Sequence, residues 1–397
     1  MYPELARRFL RWTLLRDALA RGWWLVTALY LVLVAELTAP QLILIGVFQG
    51  ITVLVAEVPA GVLADAVSRR LTLVVAHIVM GIGMTTVAFT QSFTLLVVAN
   101  SLWGLGWALT SGADVAWITD ELQRPDLIDA VLSAQGRARL YGAVTGIIVF
   151  GVLGSVTTVA FAAAVGGISM VALGLATVRR WPETGFTPVA SGERIAMSWL
   201  ILRNGVHLAV RDRVIIAVLV ATFLVNGAAE GFGRLYELRL IDLGVPDEPD
   251  PVLWFAAIAV VAAVFGAIAL RIVEARIDGR GVVRRLYVAA CAVGTVGLIL
   301  FAFAPSAALA VVGALLVSGL SFPIIRVLGT IAVNRRTASQ TRATVHSQLS
   351  QAENLGEVVL GVVIASVATG SPVTVLVVSA SLVASAGLIA GSRLGHD

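Results

Sequence analysis

Runs of about twenty consecutive apolar residues, each closed by a few polar ones, recur along the whole 397-residue chain and limit what it can become. Crossing the hydrocarbon core takes ~20 apolar residues in helical conformation. Such runs fall near Leu14–Leu37, Leu42–Ala64, Leu71–Thr90, Leu95–Thr119, Val131–Leu153, Val156–Val178, Val214–Ile241, Val252–Val273, Val282–Phe303, Ala307–Val333, Ala343–Ala368 and Val373–Ala390. They are continuously apolar and rich in Leu, Val and Ala, whereas barrel strands would be ~10 residues long with alternating polarity. The expected fold is an all-α membrane protein of about 12 transmembrane helices.

Composition excludes the soluble alternative. Apolar residues make up 58% of the chain and charged ones only 13%, against ~45–50% and ~25% in soluble domains. The formal charge of +4 is no nucleic-acid footprint, because all 28 basic residues are arginine and fall in short clusters between apolar runs. A single cysteine, Cys291, excludes an intramolecular disulfide. Arg7, Arg8, Arg11, Arg16 and Arg21 before WWLVTALYLVLVAEL give the start of the chain a basic front, but the length of that run and the second run after it fit an uncleaved first helix better than a signal peptide.

Arginine orients the array. The amino terminus, Asp65–Arg70, Asp120–Ala130, Arg179–Arg213, Glu274–Arg285, Asn334–Arg342 and the tail with Arg393 are basic; Thr38–Gln41, Gln91–Thr94, Asp242–Pro251, Ala304–Ser306 and Thr369–Pro372 contain no arginine. By the positive-inside rule both termini face the cytoplasm and the number of spans is even. The long interruption at 179–213 divides the chain into six-helix halves, 1–178 and 214–397, around a central cytoplasmic loop. Within it Ile195, Trp199, Leu202, Val206 and Val210 recur at helical spacing among Arg194, Arg203, Arg211 and Arg213, the pattern of a helix lying on the inner leaflet.

Between the second and third spans the sequence reads GVLADAVSRR, Gly61 to Arg70. This resembles the signature loop of the major facilitator superfamily, and EVPAGVLAD, SGADVAWITDEL and RATVHSQLSQAENLGEVVLG resemble its bacterial drug:proton antiporter-like members. The resemblance implies that Gly61 lets a neighbouring helix approach and that Asp65 faces the start of the eleventh helix, near Thr341, where a carboxylate interacts favourably with the helix dipole. It also implies that Arg69 or Arg70 pairs with Asp120, making an inter-helix lock. Two positions depart from the exporter pattern: Asn100 stands where an arginine precedes Gly104, and Ile147 where a proline follows Gly146.

Ionisable groups within spans are costly and therefore candidates for function. Glu353 and Glu357 lie about 18 and 24 Å into the eleventh helix, counted from Thr341. They sit one turn apart with Gln351 and Asn354 nearby, either a proton-coupling pair or a polar interhelical patch. Glu230, Arg234 and Glu237 are spaced for ion pairs on the seventh helix. Arg326, about 12 Å inside the tenth, needs an acid or an anionic ligand, with Asp114 and Glu57 as the acids available from the first half. Glu36, Arg271 and Glu274 lie near helix ends. Trp103 and Trp107, with Trp23, Trp24 and Trp117, suit either a wall for flat apolar molecules or interface anchoring.

No nucleotide-phosphate motif, no His or Cys metal spacing and no nucleophile–base pair is visible, so no cofactor and no enzymatic activity are expected. The expectation is a monomeric secondary active transporter of the bacterial inner membrane. It would export a small hydrophobic or amphipathic compound against protons, as in multidrug resistance, with metabolite uptake or lipid translocation on the same fold as the alternatives.

Overall fold

The computed structural model describes residues 3–188, 212–277, 281–337, 339–368 and 371–394, with the side chains of 339–344 excepted. All regular structure among these residues is helical. The chain runs through α1 (Glu4–Leu33), α2 (Ala39–Ala66), α3 (Arg69–Val87), α4 (Phe93–Leu122), α5 (Pro125–Val156) and α6 (Val159–Arg180), then α7 (Arg213–Asp242), α8 (Pro251–Glu274), α9 (Val282–Phe303), α10 (Ala307–Arg336), α11 (339–367) and α12 (Pro372–Arg393). Ten of the described helices, α2 to α10 and α12, are long and apolar enough to cross a membrane. The protein is a multi-pass membrane protein.

Each expected span overlaps one of these helices, with informative differences. The α1 helix starts at Glu4 rather than near Leu14. Its arginines hid a buried stripe in which Ala6, Phe9, Trp12, Thr13, Arg16 and Ala20 follow one another at helical spacing. The fourth span is not continuous. It breaks at Gly112, whose φ of +79° is open to glycine at no steric cost, and resumes at Ala113. Helices α10 and α11 widen into π-helical turns at Leu315–Ser321 and Gly356–Leu360. The first of these leads directly into Phe322–Pro323, where the proline supplies no N–H to the helix ladder.

Two compact units are resolved. The first comprises Met1–Leu37, Ile51–Ser198 and Glu248–Ala257, the second Thr38–Gly50, Trp199–Asp247 and Ile258–Asp397. Helices α2 and α8 therefore contribute to both. In the first unit α1 packs along α5, where Gly142 and Gly146 let the backbones meet: a side chain at either would strike the Leu14 or Ala18 carbonyl. An aromatic cluster closes the basic end of this unit. Trp181 stacks on Trp117 at 3.8 Å and meets Trp12 edge-on at 4.8 Å, with Phe9 against all three. In the second unit α7 and α9 pack on α12, and Phe232 meets Phe301 at 5.3 Å. Exposed Val55, Tyr141, Val149, Val264, Val296, Phe303 and Leu388 give both units an apolar exterior that suits lipid.

The surface helix expected at Ile195–Val210 lies outside the described residues, as do His207 and His396; of Arg194, Arg203, Arg211 and Arg213, only Arg213 is described, at the start of α7.

Candidate functional site

Four groups of polar or aromatic side chains are built into these units. The first is the loop between α2 and α3. Arg69, rather than Arg70, occupies the ion-pairing position: its Nη1 pairs with Asp120 at the end of α4 and donates to the Ala116 carbonyl at 2.8 Å, while Nη2 reaches Asp65 at 3.5 Å. Arg70 turns the other way, donating from Nη1 to the Trp181 carbonyl at 3.0 Å. The segment after α6, WPETGF, straps this loop. Glu183 accepts from the Arg70 backbone N–H at 2.9 Å and from the Ser68 hydroxyl at 2.6 Å, placing a carboxylate at the amino terminus of α3 where the helix dipole favours it. Glu121 accepts from Thr184 and from the Gly185 N–H. At Gly61, among the described residues, no atom lies within 4 Å of where a Cβ would stand. The approach of Asp65 to the start of α11 near Thr341 falls on side chains outside the described residues.

A buried charge cluster lies deeper in the same unit. The Asp114 Oδ2 accepts from Arg16 Nη1 at 3.2 Å, from Gln135 Nε2 at 3.0 Å and from Arg139 Nη2 at 3.0 Å. Arg16 also donates to Asp17 at 3.1 Å and lies over the Trp12 ring. Asp114 is thus spoken for within its own unit. Arg326 pairs within the second unit, with Glu353 at 3.8 Å, and Glu57 is half-buried on α2.

The third group is an aromatic column. Trp103 lies 6.1 Å from Trp23, 5.4 Å from Trp24 and 5.6 Å from Trp107, stacked on the first and last. Trp107 is 40% exposed and gives the column an open end. Asn100 does not join it. It is 1% exposed, and its amide donates to the Leu96 carbonyl of the same helix at 2.9 Å.

The fourth group occupies the second unit. Arg234 donates from Nε to Glu230 at 2.8 Å and from Nη2 to Gln49 of α2 at 3.0 Å. Glu357 lies within electrostatic reach of Glu230, Arg234, Glu353 and Arg326, and has no hydrogen bond among the described residues. The π-helical turn at Gly356 presents it, formed where α11 presses onto α7 so closely that a side chain at 356 would strike the Phe223 carbonyl. Such turns inside α-helices recur at functional sites. Glu353 lines a cavity of 590 Å³, 3.8 Å from Arg326, the same guanidinium that lies within electrostatic reach of Glu357. Asn226, Ser318, Phe322, His346 and Ser350 complete much of the lining. Arg326, read as buried, is 67% exposed and lines this cavity, three residues after Pro323. Gln351 and Asn354 are half-buried on α11.

The sequence matches the Major Facilitator Superfamily over residues 18–361. The chain belongs to the major facilitator superfamily. Solved members resemble it across nearly their whole length. The nucleoside transporter NupG gives a TM-score of 0.79 at 13% identity, with both chains fully covered. A bacterial homolog of the human lysosomal transporter Spinster, in an inward-facing and unoccupied conformation, gives 0.77 at 13% identity, covering 99% of this chain and 98% of its own. A POT family transporter in complex with 5-aminolevulinic acid gives 0.75 at 11% identity, covering 98% and 95%. At these identities the likeness establishes the fold. A comparison with curated protein sequences finds no match.

Within this superfamily fold, several residues of the polar groups escape the sequence motifs. Arg16 reads only as part of the basic front of the chain, and Gln135, Arg139 and Glu183 are not singled out by the sequence, because each acquires its partner only through helix packing. A signal was present for Glu183 alone: WPETGF sits one residue beyond the arginine pair that ends α6.

Proposed function

We propose that this protein is a proton-coupled secondary active transporter that exports a small amphipathic compound by alternating access, as drug:proton antiporters do. In this reading it works as a monomer in the bacterial inner membrane, with twelve spans in halves 1–178 and 214–397, cytoplasmic termini and no cofactor. The observation that carries the reading is the arrangement in the second unit. Glu353 and Arg326 offer opposite charges to one 590 Å³ cavity beside Phe322 and Leu349, while Glu357, one turn further along the same helix, is enclosed with Glu230 and Arg234. Carboxylates held inside a membrane are a proton path by default, and an adjacent cavity with charged and apolar walls suits a compound that has both characters. The aromatic column ending at Trp107 supports a flat apolar moiety in the substrate.

Reconstituted liposomes carrying a pH-sensitive dye provide the test, with cationic, anionic and zwitterionic amphiphiles added in turn. A substrate should drive proton flux in wild type. Glu357→Gln should keep substrate exchange yet lose accumulation driven by a pH gradient. If Glu357→Gln and Glu353→Gln both retain gradient-driven accumulation with unchanged pH dependence, the coupling assignment fails.

The polar lining favours one second reading, uptake of a zwitterionic metabolite, since Asn226, Ser318 and Ser350 add hydrogen-bonding groups to the ion pair. Accumulation inside right-side-out vesicles under an inward proton gradient would select it over export.

A further inference from the structure

Grooves at the arginine-bearing helix ends are lined alike in the two units. In the first, the start of α1 and the end of α6 enclose a cavity of 460 Å³ walled by Arg8, Arg11, Trp12, Leu15, Arg179 and Arg180. Glu4 engages Arg8. The guanidinium groups of Arg11, Arg179 and Arg180 have no carboxylate partner among the described residues. Trp12 is 4% exposed, and its indole N–H has no acceptor. Towards the middle of the same helices, Leu15 and Leu175 are half exposed. In the second unit the start of α7 and the end of α12 border an open groove of 430 Å³ lined by Arg213, Ile216, Ala217, Val220, Ile389 and Arg393.

We infer that both grooves bind the phosphate headgroup of an anionic phospholipid, with arginines from two helices on the phosphate and acyl chains against Leu15 and Leu175 or Ile216 and Val220. Guanidinium groups pair with phosphate oxygens two at a time. Basic pockets between transmembrane helices on the cytoplasmic side take such headgroups. A free anion would satisfy the arginines but leave the apolar side chains below them uncovered, whereas a lipid satisfies both. The first groove also reaches the loop between α2 and α3. Trp181, on its wall, accepts from Arg70 and stacks on Trp117, so an occupant there bears on the strap that holds the start of α3. The inference requires the membrane placement of these helix ends and is independent of substrate, direction and coupling.

The full-length protein in phosphatidylcholine nanodiscs, doped with spin-labelled phosphatidylglycerol, tests this through the motionally restricted fraction of the probe. Wild type should retain phosphatidylglycerol over a spin-labelled phosphatidylcholine. Combined Arg8→Gln, Arg11→Gln, Arg179→Gln and Arg180→Gln should lower that preference at the first groove by at least roughly tenfold; Arg213→Gln with Arg393→Gln should act likewise on the second. A control that removes Arg124, Arg276, Arg284 and Arg285, basic but outside both grooves, should change little. An equal loss in the control would leave only a general surface potential and overturn the proposal. Displacement of the probe by millimolar inorganic phosphate would identify a free-anion site and overturn the lipid assignment. If the fourfold variant fails to insert, Arg11→Gln with Arg179→Gln, which removes only arginines lacking a carboxylate partner among the described residues, must still lower the preference, or the proposal fails.

Discussion

Asp114 and Arg16 show how much a single buried charge can depend on its partner. Their side chains are 3% and 6% exposed, and the carboxylate oxygen that Arg16 approaches also serves Gln135 and Arg139. Breaking a buried pair by removing one member costs ~3–5 kcal/mol, whereas replacing both by apolar residues of similar volume is often near neutral. Asp114→Leu should therefore lower the thermal midpoint of the detergent-solubilised protein, followed by tryptophan fluorescence, and Arg16→Met with Asp114→Leu should recover most of the loss. A double variant no more stable than the single one would show that Asp114 owes its stability to Gln135 and Arg139. Arg69 and Arg70 are separable at the same scale. Arg69→Ala should depress transport in liposomes with the protein still inserted, because Asp120 loses its partner; Arg70→Ala should instead loosen the strap after α6, measured as faster proteolysis near Glu183. Equal transport by wild type and Arg69→Ala would remove the lock. The Arg69–Asp120 pair was legible through the resemblance of Gly61–Arg70 to the family's signature loop, which left Arg69 and Arg70 both open. The surroundings of Asp114 were not, since Arg16, Gln135 and Arg139 come from α1 and α5 and meet only when packing sets the rotation of each helix.

Among the elements, hydropathy located the helices well but could not see what happens inside them. Apolar content does not distinguish a straight helix from one broken at Gly112 or widened at Leu315–Ser321 and Gly356–Leu360, because these features follow from glycine placement and close backbone contact, not from burial pattern. The charged start of α1 misled for the opposite reason: a helix whose buried stripe contains Arg16 looks polar on average. Glycine substitutions discriminate between these features. At Gly146 an added methyl would fall on the Ala18 carbonyl, and at Gly356 on that of Phe223, so Gly146→Ala and Gly356→Ala must push helices apart. Both should reduce the yield of monodisperse protein, and Gly356→Ala should also impair gradient-driven transport by displacing Glu357. Gly61 has open space around it, and alanine favours a helix over glycine by ~1 kcal/mol. Gly61→Ala should leave the thermal midpoint unchanged or raised. A drop at Gly61 as large as that at Gly146 would mean that the signature glycine is packed after all.

For the whole molecule, the question is whether α1 and α11 cross the membrane, since both carry charges and neither belongs to the ten apolar helices. Topology depends on the answer. Helices α2 to α10 in succession place the end of α10, with Arg335 and Arg336, on the same side as Arg69 and Arg70. If α11 did not cross, α12 would start on that basic side and carry Arg393 to the opposite one, against the positive-inside bias. If α1 did not cross, Arg7, Arg8 and Arg11 would lie on the face whose other connections lack arginine. Length permits the crossing of α11: residues 339–367 at ~1.5 Å each exceed the ~30 Å hydrocarbon core. Its charges are also matched within the second unit, where Glu353 faces Arg326 and Glu357 lies near Arg234. Reporter fusions after Asp397 and within residues 187–191 should therefore both read as cytoplasmic, and one at Asp247 as external. A cytoplasmic reading at 187–191 combined with an external one after Asp397 would show that α11 lies along the membrane or folds back. That result would withdraw Glu353 and Glu357 from any transmembrane proton path.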